Sequence, residues 1–374
     1  MRSPAPCVFE QRILVCAVKG DATNDQRSRL QELLSKIGAS DRLIDAAVRE
    51  GVAGLLYKCL LKLDLLAALG TDARDRLRAV YYRTVSVNLK LLHEVKCVLG
   101  ALQEDGVPVV LLQGAALLTQ VYADPGLRPM RDVDVWVLPK HYSQLVSRLE
   151  RLGFERHPIY PNIFRRGSTL VDVHSHILWA DRIKARGRLL EVPQEDIFRR
   201  AQPGKLDGVD TLCLSAADQV IYLSMHAVKH NYQRLIWLAD VLQCLSSWSP
   251  DPWRVLLNRA EELGQSHTLS GTLYLLVLLF DIEIPQTFQL LQPHALEKAI
   301  LRKRLTGGKI TNWGRMLLLC RGKPLGTRAA LVFESLFPRP EVLRQVFADT
   351  PDVKPWQMYV KRMGQIVRVV GTGD

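Results

Sequence analysis

The sequence predicts an α+β protein: a small mixed-sheet core over residues 105–212, flanked by an N-terminal helical region over 1–104 and a larger C-terminal helical region over 213–374. Three observations predict it. Between Val107 and His174, short β-prone runs alternate with helical segments. On both sides of that stretch, apolar residues recur at helical spacing. A hydrophobic content of 48% over 374 residues is enough to build real cores.

From about Asn24 to Glu104 the spacing predicts helices over 26–37, 41–49 and 54–69, then a long one from Thr71 that aligns Val85, Leu89, Leu92, Val95 and Leu99. Val107-Pro108-Val109-Val110-Leu111-Leu112 is a predicted strand that empties into Gln113-Gly114-Ala115-Ala116, after which the spacing turns helical. A strand, a small-residue turn and a helix start leave backbone N–H groups free to meet phosphate oxygens. A turn through Tyr122, Pro125, Gly126, Leu127 and Arg128 then delivers the chain to Arg131-Asp132-Val133-Asp134-Val135. Strand alternation places Asp132 and Asp134 on one face and turns Val133 and Val135 to the core. A helix over 141–152 exits through Gly153, and Ser168–His174 is another alternating strand, with Asp172 and His174 on one face. Carboxylates converging on rigid strands suit a hard divalent cation such as Mg²⁺. The plain alternative for Asp-x-Asp is a strand with a solvated face.

Beyond the sheet, Ser215 to Asp218 reads as a helix cap. The helix that follows carries His226, Lys229 and His230, with Arg234, Trp237 and Asp240 further on. His226 and His230 are i, i+4 neighbours with Lys229 beside them, so one face is cationic or hydrogen-bonding. Cationic groups on an otherwise apolar, packed helix need either solvent or an anion. This face is expected to meet an anion; the alternative is a solvated face or histidines satisfied in the core. Helices over 253–263 and 269–280 follow, then a basic run over 302–328 without Asp or Glu. That run reads as solvated surface. A nucleic-acid partner is less favoured, because Trp313 is the only aromatic residue in the run and no RNA-recognition signature accompanies it.

The net charge of +12, from 50 basic and 38 acidic residues, favours a polyanionic partner. Cys7, Cys16, Cys59, Cys97, Cys213, Cys244 and Cys320 form no C-x-x-C pair and no cluster with histidine, which predicts reduced thiols, neither zinc site nor disulfide framework. Residues 1–6 lack the apolar core of a signal peptide, and the most apolar stretch, 269–280, is too short for a bilayer span of about 20 residues. A cytoplasmic protein that leaves membranes alone is expected.

These motifs resemble the nucleotidyltransferase superfamily of the DNA polymerase β type, in particular bacterial uncharacterised nucleotidyltransferases related to the antibiotic-modifying ones. The resemblance rests on Leu111-Leu112-Gln113-Gly114-Ala115, on Arg128-Pro129-Met130-Arg131-Asp132-Val133-Asp134, and on Val171-Asp172-Val173-His174, and spans roughly residues 85 to 180. The string from His226 through Lys229 and His230 to Arg234-Leu235 is similar to one in the uncharacterised branch. The resemblance implies a nucleotidyltransferase core that moves a nucleoside monophosphate from an NTP such as ATP to a hydroxyl, most simply on a small-molecule acceptor. It implies two Mg²⁺ ions, with Mn²⁺ as substitute, held by Asp132, Asp134 and Asp172. Asp172 would also orient or deprotonate the acceptor. Nucleotide contacts are implied for Gln113, Gly114, Ala115, Arg128 and Arg131, with His174, His226, Lys229, His230 and Arg234 around them. Two departures stand out. Ala115 replaces the usual Ser or Gly, and Gln113 stands where relatives often have Lys. They keep open a degenerate nucleotide-binding or regulatory protein, and the net charge keeps open an enzyme acting on RNA or a protein.

Overall fold

The computed structural model describes residues 8–20, 23–37, 40–246, 248, 250–289, 292–305, 307–347 and 354–372. The N-terminal run and Cys7 lie outside the described residues.

Seven strands form one mixed sheet: β1 (Val110–Leu111), β2 (Val133–Trp136), β3 (Glu155–Arg156), β4 (Ile163–Arg166), β5 (Thr169–His174), β6 (Gln202–Leu206) and β7 (Val209–Cys213). Their order is β3-β4-β5-β2-β1-β7-β6. β2 therefore sits at the centre, parallel to β5 and antiparallel to β1. Alternation along β2 decides what each face does. Val133 and Val135 join a core with Val95, Leu99 and Leu102 of the long helix Thr71–Glu104 and Leu145 and Leu149 of the helix Pro139–Arg151. Trp136 points the other way, into a second core with Ile221, Met225 and Val228 of the helix Ala216–Lys229. Asp134 shares that second face by alternation, so the carboxylate is aimed at the C-terminal helices.

The observed elements depart from the expected ones where local cues conflict. β1 is two residues long, less than the 107–112 run predicted. Asp132 precedes β2 instead of lying on it. The helix expected over 54–69 ends at Lys62, because Asp64 adopts a left-handed backbone (φ 56°), and a 3₁₀ turn, Leu66–Leu69, completes the segment. A helix Val8–Lys19 buries Ile13, Leu14, Ala17 and Val18 and was not expected. The β6–β7 hairpin was also missed. Pro203 and Gly204 break its strand pattern, and β6 tolerates them because it is an edge strand. Its Asp207-Gly208 turn, with positive φ at both residues, was the available signal.

The basic run 302–328 is also corrected. Arg304 and Lys323 are buried, Arg304 on Glu50 (2.5 Å) and the carbonyl of Tyr232 (2.8 Å), Lys323 on Glu191 (3.1 Å) and the carbonyl of Gly264 (2.6 Å). Two of its cations therefore tie elements together instead of covering a surface. Among the described residues, Cys59, Cys213, Cys244 and Cys320 are buried and in no disulfide. No described helix is long and apolar enough to cross a membrane.

Candidate active site

Parallel pairing of β2 with β5 sets Asp134 directly beside Asp172 and Trp136 beside His174. The backbone around them is pinned: Leu112 N–H donates to the Asp134 carbonyl, and Val137 N–H to that of His174, both at 3.0 Å. His174 is buried, with Nε2 2.9 Å from Asp134 Oδ1 and 3.8 Å from Asp172 Oδ2. One ligand atom from each of Asp134, Asp172 and His174 lies within 4.8 Å of the others. The shorter contact goes to Asp134, because His174 Nε2 reaches across to the neighbouring strand.

Electrostatics marks this trio as short of positive charge. Asp132 is exposed at the rim, and partial desolvation with the charges of Asp134 and Asp172 raises its carboxyl to about 6. Burial raises Asp172 above the usual carboxylate range, with His174 opposing and Asp134 adding. Burial disfavours charge on His174, but Asp172 and the bond to Asp134 outweigh it and hold the imidazole above its ordinary value. The donor set fits a hard divalent cation: carboxylates of Asp134 and Asp172 side by side at one end of a sheet, with His174 against them.

The turn after β1 lies on one flank. Gln113 begins the helix Gln113–Gln120 in the left-handed region (φ 46°), and its Nε2 donates at 3.4 Å to the Tyr222 hydroxyl. A Cβ on Gly114 would come within 2.5 Å of Arg128 Nη1 and 2.7 Å of Met130 Cγ, so glycine is what lets these side chains close over the turn. Arg128 itself is buried on Asp240, with Nη2 3.0 Å from Oδ2, and Tyr122 also donates to Asp240 at 3.0 Å. The expectation that Arg128 holds phosphate is corrected accordingly: its charge is already met. Arg131 is exposed.

The helix Ala216–Lys229 forms the opposite wall, started by Ser215, whose Oγ accepts from Asp218 N–H at 3.3 Å. Tyr222, His226 and Lys229 follow one another along one face. Lys229 Nζ lies 3.4 Å over the Trp179 ring. Burial and Arg186 push Lys229 down to about 7, while Asp134 and Asp172 pull the other way. Lys229 shares its cleft with Asp172, His174, Asp181 and Arg182. His226 does not meet the cleft as expected. It is packed among Trp179, Tyr222, His230 and Trp237, and burial, then His230, hold its ring well below the ordinary value, so it is neutral core. His230 is pushed down to about 3 by burial and Lys229. Arg234 sits apart from Lys229, donating to the Arg49 carbonyl at 3.1 Å. Burial, then Arg131 and Arg128, lower its guanidinium.

The sequence matches the family described as uncharacterised nucleotidyltransferase over residues 39–281, more than half of the chain. The chain belongs to that nucleotidyltransferase family. A comparison with curated protein sequences finds no significant match. Two solved structures are similar in part: the antibiotic-resistance factor ANT(2'')-Ia in solution (15% identity, TM-score 0.34, 46% of this chain and 92% of that one). The second is ANT(2'')-Ia in complex with adenylyl-2''-tobramycin (17%, 0.34, 46% and 96%). At that TM-score the likeness bears no weight for function.

This nucleotidyltransferase also brings in residues that the sequence reading missed. Asp181 and Arg182 line the cleft beside Asp172, and Arg315 Nη1 donates at 3.1 Å to the Lys229 carbonyl. Burial, then Arg315 and Arg182, push the Arg186 guanidinium down to about 10. Arg315 lay within the noticed basic run. Nothing local marks Arg182 or Arg186, which reach the site only through the irregular segment after β5.

Proposed function

We propose that this nucleotidyltransferase moves a nucleoside monophosphate from an NTP to a hydroxyl of a small-molecule acceptor, and that Asp132, Asp134 and Asp172 hold two Mg²⁺ ions, or Mn²⁺, for that purpose. The observation that supports it is the register that sets Asp134 beside Asp172, with Asp132 close enough to feel both. Metal ions bound there supply Lewis-acid stabilisation of charge on the attacking and leaving oxygens.

The chain's own residues account for the remainder. The acceptor oxygen forms a bond to the α-phosphorus as the bond to pyrophosphate breaks, and the acceptor proton passes to Asp172, the carboxylate that the strand register sets beside Asp134. His174 fixes the Asp134 carboxylate through its 2.9 Å bond. Free N–H groups at the Gly114–Ala115 helix start face the triphosphate, with Arg131 as an added cation. Gln113 supports that turn through Tyr222 instead of supplying charge, and Ala115 leaves the phosphate contacts to the backbone.

Incubation of the purified protein with each α-labelled NTP, Mg²⁺ and a cell extract tests the proposal. Label on a small molecule is expected with wild type and not with Asp172→Asn. Nucleotide binding without any labelled product would place the chain among regulatory proteins, and label on RNA or protein would change the acceptor class.

A further inference from the structure

Four cations gather around the Asp172 end of the cleft, and besides the proposed metal ligands the carboxylate of Asp181 lies with them. Lys229, Arg186 and Arg315 are partly buried, and Arg182 is exposed at the rim. Arg315 Nη1 is 3.1 Å from the Lys229 carbonyl, Lys229 Nζ is 3.4 Å over Trp179, and Arg182 lines the same cleft as Lys229. Arg186 is within electrostatic reach of Lys229, Arg182 and Arg315. Among the described residues none of the four makes an ion pair. Of the nearby carboxylates, Asp181 accepts from the Asn162 amide through one oxygen, lines the cleft with Lys229 and Arg182 and acts on Arg186, so it offsets part of this charge, and Glu334 accepts from Ala185 N–H. Like charges gathered out of water are costly unless an anion joins them. Fully buried cations elsewhere in this protein are paired, Arg128 on Asp240 and Arg304 on Glu50.

The location separates this group from the nucleotide turn. Arg128, Arg131 and Arg234 cluster at the Gly114 side, where Arg128 acts on Asp132. Lys229 acts instead on Asp172 and His174. The carboxylates thus stand between two cationic groups, and on the Gly114 side Arg128 is already held by Asp240. Arg315 also walls a cavity of about 600 Å³ lined by Trp313, Met316, Val332, Leu336 and Arg362.

Resting on the nucleotidyl-transfer reading, we infer that the acceptor is itself an anion, a phosphorylated or carboxylated small molecule whose charged group sits among Lys229, Arg186 and Arg315 while its hydroxyl faces Asp172.

The test is calorimetry on protein saturated with Mg²⁺ and α,β-methylene-ATP, titrated with phenyl phosphate, benzoate, benzyl alcohol and benzylamine. At least one anion is expected to bind about tenfold or more tighter than benzyl alcohol, with benzylamine weakest, and the tighter anion tells phosphate from carboxylate. Arg186→Gln and Arg315→Gln should each weaken that anion by about tenfold while changing nucleotide affinity less than about threefold, which also shows that the variants are folded. The inference is overturned if neither anion surpasses benzyl alcohol, or if the substitutions weaken nucleotide binding as much as anion binding, since the cations then serve the triphosphate. Failure of wild type to bind the nucleotide at all would overturn the transfer reading, and this inference with it.

Discussion

Asp134 and Asp172 lie side by side with the His174 ring against them, and burial together with Asp134 makes the Asp172 carboxylate harder to ionise. Two consequences follow for single residues. Asp134→Asn and Asp172→Asn should each lower turnover by roughly 10²-fold or more, because removing one group aimed at developing charge typically costs that much; steady-state transfer assays read it directly. Asp132→Asn should raise the Tm of the metal-free protein at neutral pH, since it removes a carboxylate that repels two others, and should cancel most of the stabilisation that Mg²⁺ gives wild type. Thermal unfolding with and without Mg²⁺ checks both halves. Part of this level was legible in the sequence for a physical reason: strand alternation fixes which side chains share a face, so the common face of Asp172 and His174 could be read from spacing, whereas the pairing that sets Asp134 beside Asp172 could not. The Arg128 role was not. Its partner Asp240 is over a hundred residues away, and no local pattern announces an ion pair between distant elements.

At the scale of elements, the site depends on how tightly the turn after β1 is closed. Gly114→Ala would drive a Cβ into Arg128 Nη1 and Met130, at a cost of about 1–3 kcal/mol for overpacking, and should weaken nucleotide binding by shifting the N–H groups of the helix start. Denaturant unfolding and nucleotide titration measure the two effects. Asp240→Ala should destabilise by about 3–5 kcal/mol, because it strands the buried Arg128 charge beside the same turn, and Asp240→Asn should recover part of the loss. Long elements with clean periodicity, such as Thr71–Glu104, were readable. Short ones were not: β3 has two residues, β4 four, and β6 carries Pro203, so pairing with β5 and β7 makes them strands more than their own composition does.

Across the whole molecule, the sheet supplies carboxylates and the C-terminal helices supply cations, so the cleft exists only where the two cores meet. Long-range pairs keep them in place: Arg304 from the basic run reaches Glu50 in the N-terminal helices, and Glu50 also accepts from Leu235 N–H at 2.7 Å. Glu50→Ala should therefore cost about 3–5 kcal/mol by urea unfolding, far more than a surface acid would. The convergence of Lys229, Arg186 and Arg315 from three separate segments is the least sequence-legible feature, for it is a product of packing alone. What it converges on decides the account. Titration of Mn²⁺ into the protein with an unreactive NTP analogue, with free Mn²⁺ followed by electron paramagnetic resonance, tests the central claim that Asp132, Asp134 and Asp172 form a two-metal nucleotide site. The account predicts about two nucleotide-dependent Mn²⁺ ions per wild-type chain and loss of that binding in Asp134→Ala; equal binding by wild type and variant would contradict it.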